Sequence, residues 1–352
     1  MKRNDMTDRY LEDLEQQLVP EVEDRLEAEW LAFTEGRLEG AIFSPSRSRP
    51  CPGALEWPAV SVNQAQADLE AMVLQQYGAC ASQLARGWGG MLGVRANYGT
   101  GIMPSLFGAE LFVMDESTET LQTTIPLGAA AMEDLVAKGV PALEAGLGAN
   151  VSAAGRRFAE IARQYPKIGR YVHIYHPDLQ GPMDVCEMLW GSEMFLDLLD
   201  KPDLAHRVLD LVTETYLRLM TAWNDLVGVA SNDWAVHWGL MHGGKIMLRT
   251  DSGMNLSPAM YDTFIRPYDE RVLAALGGGA VHFCGRGSHY IASACAMPGL
   301  RAINLSQPHL NDMEAIFQAT VDRGIKLLGL NRDAAEAARG AGRDLHGAVH
   351  CW

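Results

Sequence analysis

The segment Val-His-Phe-Cys-Gly-Arg-Gly-Ser, residues 281–288, predicts a buried strand that ends in a glycine-rich turn. Side chains alternate between the two faces of a strand, so His282 and Cys284 share one face and Val281 and Phe283 share the other. A helix is predicted on each side of this strand. The first runs from Ser257 and Pro258, an N-cap and first-turn proline, through residue 276, and the second begins near Ser288. The segment is therefore the strand of a repeating strand–helix unit.

The same alternation of short apolar strands and amphipathic helices continues from about Trp57 to Asn331. Further strands are predicted over residues 93–99, 171–178, 233–240, 300–306 and 325–331. No G-x-G-x-x-G or G-K-[ST] loop occurs, which disfavours a nucleotide-binding fold. The pattern predicts an α/β fold, a TIM (β/α)8 barrel over residues 57–352, preceded by an N-terminal helical extension and loop over residues 1–56.

Composition narrows the class of partner. The chain has 352 residues and a formal net charge of −15, without a basic run, which disfavours a nucleic-acid partner. No apolar run approaches the ~20 residues that cross a membrane, and the polar N-terminus lacks the features of a signal peptide, so we expect a cytoplasmic protein. Six scattered cysteines predict free thiols or metal thiolates. We expect small-molecule or protein partners, and the N-terminal helices would suit a homodimer contact.

Barrel enzymes place their reacting groups at the carboxyl ends of the strands. Polar and aromatic residues lie at or just after the predicted strand ends. We expect catalytic groups among Asp178, Asp251 and His237, and substrate-binding groups among Asn97, Tyr98, His176, Gln180, Trp238 and Arg249. For the aromatic members, ordinary barrel packing is the alternative.

His282 and Cys284 also predict a metal site. An imidazole nitrogen and a thiolate sulfur on one strand face suit Zn²⁺, and a third protein ligand would leave an open fourth position for catalysis. Cys351, near the end of a possible last strand, is the expected third ligand, and His350 is its rival. The alternative is that His282 and Cys284 are packing residues.

Three segments carry a resemblance to a known family: residues 176–216, residues 251–273 and Val-His-Phe-Cys-Gly-Arg-Gly at 281–287. Together they resemble the uroporphyrinogen decarboxylase superfamily, and most of all its zinc-dependent, corrinoid-linked methyltransferases. The resemblance implies a TIM barrel whose zinc ligands are a His-x-Cys-Gly motif, matched by His282, Cys284 and Gly285, and a distant cysteine, assigned by position to Cys351. The Met-Arg-Gln-Ala-Gly-Arg-Tyr run of the decarboxylases is missing from this sequence.

The resemblance thus implies a zinc-dependent methyltransferase that moves a methyl group between a small methylated substrate or thiol acceptor and a corrinoid. A separate partner protein would carry the corrinoid, because the chain has no Asp-x-His-x-x-Gly motif. Two alternatives stay open. One is a metal-free decarboxylase or lyase that uses Asp178 or Asp251 with Arg95 and Arg249; the other is a silent barrel that binds a tetrapyrrole or a corrinoid protein.

Overall fold

The computed structural model describes residues 3–40, 42–229 and 231–352. Its α-helices are α1 (Arg3–Gln17), α2 (Pro20–Thr34), α3 (Val62–Ala67), α4 (Leu69–Arg86), α5 (Ile102–Leu106), α6 (Met132–Lys138), α7 (Gly148–Gln164), α8 (Pro166–Tyr171), α9 (Pro182–Trp190), α10 (Met194–Asp200), α11 (Pro202–Val227), α12 (Pro258–Phe264), α13 (Arg266–Ala275), α14 (Ile291–Ala294), α15 (Met313–Ala319) and α16 (Arg332–Gly340). Its strands are β1 (Ile42–Phe43), β2 (Leu92–Val94), β3 (Leu111–Phe112), β4 (Thr123–Thr124), β5 (Val172–Ile174), β6 (Trp234–His237), β7 (Leu240–Gly243), β8 (Ile246–Arg249), β9 (Gly279–Phe283), β10 (Leu300–Leu305), β11 (Lys326–Leu328) and β12 (Val349–His350).

Strands and helices alternate, as the sequence predicts, and six strands form one parallel sheet in the order β1-β12-β11-β10-β9-β8. A second parallel pair joins β2 and β5. Within the described part of the chain these strands are not hydrogen-bonded into one continuous ring, so the predicted closed barrel is not seen. The fold is a mixed α/β architecture built on a six-stranded parallel sheet.

The prediction of a single strand over residues 233–240 is wrong, because this segment contains a strand and the turn of a hairpin. Residues of β6 pair antiparallel with β7, and Trp238 and Gly239 form the two-residue turn between them. Both turn residues have positive φ, 52° and 78°, as a type I′ hairpin requires. The usual Asn-Gly signal of such a turn is replaced here by Trp-Gly, which conceals the hairpin in the sequence.

The helix predicted over residues 257–276 begins where expected and is interrupted once. The Ser257 side chain accepts a hydrogen bond from the Met260 amide, and Pro258 occupies the first turn. The break between α12 and α13 falls at Ile265, two residues before Pro267, which has no amide hydrogen to donate to the preceding turn.

The two faces of the parallel sheet belong to different apolar clusters. Met247, Ala280 and Ala302, on β8, β9 and β10, share a cluster with Trp30 of α2 and Met241 of the hairpin. The residues that follow each of them along its strand, Leu248, Val281 and Ile303, belong to the main core. Helix α2 and the β6–β7 hairpin therefore cover the sheet face from which His282 projects.

The N-terminal helices pack within the chain. Leu11, Leu14 and Leu18 of the α1 region are buried in the main core, and Trp30 and Phe33 of α2 are fully buried. The apolar faces of these helices are thus covered by the same chain. The boundary near residue 57 and the homodimer stay predictions. None of the helices in the described ranges is both long and apolar enough to span a membrane.

Candidate metal centre

His282 and Cys284 converge at the end of β9, as the strand alternation predicts. The Cys284 Sγ atom lies 3.4 Å from His282 Nε2. Gly285 follows with φ 76°, a conformation that L side chains rarely adopt. A Cβ at residue 285 would also lie 2.6 Å from Met254 Sδ. Glycine at this position lets the chain turn immediately after the two side chains.

Asp251 supplies the third donor of the cluster. It follows β8, the neighbour of β9 in the sheet, and its Oδ1 lies 3.9 Å from His282 Nε2 and accepts a hydrogen bond of 2.7 Å from the Cys284 amide. One ligand atom from each of Asp251, His282 and Cys284 lies within 4.8 Å of the others. Nitrogen, sulfur and carboxylate oxygen are the three ligand types that Zn²⁺ takes in proteins.

Asn304 fixes the tautomer of His282. The two residues are register partners on β9 and β10, and Nδ1 of His282 lies 2.6 Å from Oδ1 of Asn304. The Asn304 amide nitrogen donates to the Leu328 carbonyl at 2.6 Å, so its oxygen must be the acceptor toward His282. His282 Nδ1 therefore carries the hydrogen, and the Nε2 lone pair faces Cys284 and Asp251, as a metal-ligating histidine requires.

Cys351, the expected third ligand, lies outside this cluster. The reason is the phase of the last strand, since Val349 and Cys351 both belong to the main core, on the sheet face opposite to the one from which His282 projects. His350 lies between them and contacts the rings of Trp30 and Trp352, while its Nδ1 accepts the Gly329 amide hydrogen. Neither Cys351 nor His350 joins the group that the structure brings together.

The charges around Cys284 favour a bound cation over a free thiolate. Burial raises the pKa of the Cys284 thiol, and the negative charge of Asp251 raises it further. Burial lowers the pKa of His282, although Asp251 opposes that shift. A divalent cation fits this set of groups, a neutral imidazole, a carboxylate and a neighbouring thiol. Its charge would stabilise both the carboxylate and the thiolate that forms when the thiol loses its proton.

Beside this cluster, Asp178 lies between two arginines. Its Oδ2 is 3.1 Å from Arg95 Nη1 and its Oδ1 is 2.7 Å from Arg249 Nη1. Burial alone would raise the pKa of Asp178, but the charges of Arg249 and Arg95 outweigh it and hold that pKa below its usual value. Asn97 joins the network, since its Oδ1 accepts a hydrogen bond of 3.0 Å from Arg95 Nε. Asp178 is thus an ionised, doubly paired carboxylate.

Trp238 connects the arginine network to the metal cluster. The Arg249 guanidinium lies 4.7 Å from the centre of the Trp238 ring, and the Trp238 and His282 ring centres are 5.1 Å apart. Arg249 and His282 are themselves register partners on β8 and β9. The two groups of polar residues therefore form one continuous site.

His176 and His237 are held neutral beside Arg249. Their rings stack with centres 4.3 Å apart, and His237 Nε2 accepts from Arg249 Nη2 at 2.9 Å. His176 donates through Nδ1 to the Pro177 carbonyl and accepts the Met247 amide hydrogen at Nε2. Burial, with the charge of Arg249, lowers the pKa of His176 to about 3, and burial lowers that of His237 well below its ordinary value. Neither supplies a proton near neutral pH.

Two predicted residues have other surroundings. Tyr98 packs in the main core, and its hydroxyl is hydrogen-bonded to the Asn150 side chain. Gln180 is buried within the segment that joins Asp178 to α9. The sequence reasoning missed Asn304, and it also missed Asp184, whose carboxylate accepts the amide hydrogens of Asp251 and Ser252 at 3.0 and 2.8 Å. Asp184 thereby holds the loop that presents Asp251.

The fold is similar to that of a solved structure, a methyltransferase from Methanosarcina mazei. The similarity covers 93% of this chain and 92% of that chain, with a TM-score of 0.65 and 14% sequence identity. At that identity the likeness establishes the fold. No protein-family model and no curated protein matches the sequence.

Proposed function

We propose that the protein is a zinc-dependent methyltransferase that moves a methyl group between a small methylated substrate or thiol acceptor and a corrinoid carried by a partner protein. The observation that carries the proposal is the convergence of Asp251, His282 and Cys284, whose ligand atoms lie within 4.8 Å of one another. The Asn304 contact, which leaves His282 Nε2 free to bind, supports it. The similarity of fold to a methyltransferase is a second support.

The residues of the chain have distinct roles in this proposal. Asp251, His282 and Cys284 would hold the ion, which supplies Lewis-acid activation of a thiol or of a methyl-bearing group. Three protein ligands leave a fourth position for the substrate. Trp238, whose ring contacts both His282 and Arg249, would place the substrate by contact with that ring.

A metal-free thiol nucleophile is the second candidate. Cys284 Sγ lies 3.4 Å from His282 Nε2, and Asn304 holds the other ring nitrogen, an arrangement shared with cysteine–histidine–asparagine nucleophiles. Such enzymes lower the pKa of the thiol with a neighbouring positive charge. Here burial and the negative charge of the Asp251 carboxylate both raise the pKa of the Cys284 thiol. This electrostatic difference favours the metal site.

A transfer assay with free methylcobalamin and 2-mercaptoethanol tests the proposal, because loss of the cobalt–carbon bond changes the visible absorption. We expect the zinc-loaded chain to accelerate the loss over the chelated chain, and Cys284→Ser to reduce the rate at least 100-fold. Cys295→Ser, which removes a buried thiol outside the cluster, is the matched control. Equal rates with and without zinc, or full activity in Cys284→Ser, would contradict the proposal.

A further inference from the structure

A cavity of about 300 Å³ lies away from the metal cluster, between the end of α1, the segment that follows residue 50 and helix α4. Gly78, Ala81 and Ala85 line it from one face of α4, at a spacing of three and four residues, and Pro52 and Leu55 also line it. The small side chains on α4 leave this volume unfilled. It is large enough for a small organic molecule.

Gln17, the last residue of α1, presents an oxygen without a partner to this cavity. Its side chain is only 6% exposed, and its Nε2 donates to the carbonyls of Cys51 and Ala81, which fixes the orientation of the amide. Gln17 Oε1 has no hydrogen-bond partner in the part of the chain that the structure describes. Buried polar atoms almost always have a partner, so this oxygen indicates a place for a donor.

Asp13 lies one helical turn before Gln17 and is only 8% exposed. Its carboxylate accepts hydrogen bonds from the Ala54 and Leu55 amides at 2.8 and 3.3 Å, and none of the ion pairs among the described residues includes it. A Cβ built on Gly53 would touch Asp13 Oδ2 and would lie 3.2 Å from Gln17 Oε1, so both oxygens face one point at the cavity wall. A nearly buried carboxylate without a counter-charge favours a cation there.

Trp57 brings a hydrogen-bond donor to the same cavity. Its Nε1 is a buried nitrogen without a hydrogen-bond partner among the described residues. The indole is held from two sides, because its ring centre lies 5.2 Å from that of Tyr10 and a Cβ built on Gly78 would lie 3.0 Å from its Cε3. The cavity therefore offers acceptors for a cationic donor and, separately, an N–H for an acceptor.

We infer that this cavity binds a small amino alcohol. Its ammonium group would donate to Gln17 Oε1 beside the Asp13 carboxylate, and its hydroxyl oxygen would accept the Trp57 indole hydrogen. A hydroxyl suits the site better than a second carboxylate, because a further negative charge would be repelled by Asp13 in a chain of net charge −15. The site does not depend on the proposed function, since none of its residues belongs to the metal cluster.

Isothermal titration in phosphate buffer with 2-aminoethanol, 3-aminopropanol and 4-aminobutanol tests the inference. Each is compared with the alkylamine and the diol of the same chain length, which lack the oxygen and the charge respectively. We expect saturable binding of at least one amino alcohol to the native chain, weaker binding of the alkylamine and none of the diol. Trp57→Phe removes the N–H and should abolish the preference for the amino alcohol over the alkylamine.

Asp13→Asn removes the charge but keeps an acceptor for the Ala54 amide, and it should weaken binding about 10-fold or more. Asp197→Asn is the matched control, because Asp197 is also 8% exposed and lies outside the cavity, and it should bind as native protein does. Cys284→Ser, which removes a proposed metal ligand, should also bind as native protein does. This variant separates the amino alcohol site from the proposed function.

The inference is overturned if no amino alcohol binds the native chain, or if the diol binds as tightly. Native affinity in Asp13→Asn at an unchanged melting temperature would also overturn it. If Asp13→Asn does not fold, Trp57→Phe decides, because an unchanged preference for the amino alcohol in that variant would reject the site. Loss of binding in Cys284→Ser would place the ligand at the metal centre and would likewise overturn the inference.

Discussion

The amide oxygen of Asn304 lies 2.6 Å from Nδ1 of His282, and the two residues are register partners on β10 and β9. This contact determines which ring nitrogen is free to bind a metal. Partners of this kind typically contribute about 10- to 100-fold to metal affinity.

Replacing Asn304 by alanine should therefore weaken zinc binding by about 10- to 100-fold, because the imidazole loses its fixed tautomer and orientation. Competition with a chromophoric chelator measures the affinity. Ser306→Ala is the control, since it removes only the long hydrogen bond of 3.6 Å between Cys284 Sγ and the Ser306 hydroxyl and leaves His282 in place, and it should change the affinity less. A native affinity in Asn304→Ala would show that the contact does not position a ligand.

The hairpin turn gives a second prediction. Trp238 has a φ of 52°, which costs a non-glycine residue about 1 kcal/mol and costs asparagine less. Trp238→Asn and Trp238→Ala remove the same indole ring, so their difference isolates the backbone effect. We expect the asparagine variant to be more stable than the alanine variant by about 1 kcal/mol in urea unfolding. Equal stabilities would argue against a type I′ turn.

Asp269 gives a prediction about pH. Burial raises the pKa of its carboxyl to about 8, while an unfolded chain ionises the same group near pH 4. Between these values the native state binds more protons than the unfolded state, so this group makes the free energy of unfolding fall as pH rises. The slope is about 1.4 kcal/mol per pH unit for one proton.

Asp269→Asn keeps an acceptor for the Thr250 hydroxyl and removes the titration. Its stability relative to native protein should therefore increase steadily from pH 5 to pH 8, measured by urea unfolding at each pH. Asp225→Asn, at an exposed position on α11, should follow the native curve. Parallel curves for Asp269→Asn and native protein would contradict the assignment.

A buried ion pair secures α2 to the loop after β1. Arg47 Nε and Nη2 each lie 2.7 Å from a carboxylate oxygen of Glu23, and the two side chains are 0% and 6% exposed. Glu23→Ala would leave a buried guanidinium unpaired and should lower the free energy of unfolding by about 3–5 kcal/mol. Glu29→Ala breaks the exposed Arg25–Glu29 pair and should cost less than about 1 kcal/mol. Similar losses in the two variants would contradict this account.

The sequence predicted the site residues whose positions follow from the alternation of side chains along a single strand. His282 and Cys284 lie two residues apart on one strand, so their convergence follows from the chain itself. Asn304 depends on the register between β9 and β10, and Asp251 depends on which strands are neighbours. The local pattern of apolar and polar residues in the sequence does not reveal which distant strands pair or in which register.

Cys351 shows why the sequence could not predict which side chains of the last strand reach the site. The strand β12 is two residues long, too short for its hydrophobic alternation to determine which face its side chains occupy. A shift of one residue exchanges the faces, and the structure places Cys351 in the main core, on the face opposite to His282. The β6–β7 hairpin was missed for a related reason, because its turn lacks the residues that usually announce one.

The most direct test of the account is the spectrum and metal content of the cobalt-substituted and zinc-loaded chain, measured for native protein, Asp251→Ala, Cys284→Ser and Cys351→Ser. We predict about one ion per chain, with a thiolate charge-transfer band that disappears in Cys284→Ser and persists in Cys351→Ser, and weakened binding in Asp251→Ala. Loss of the ion in Cys351→Ser with full retention in Asp251→Ala would contradict the proposed ligand set. No bound ion in reduced native protein would contradict the metal centre itself.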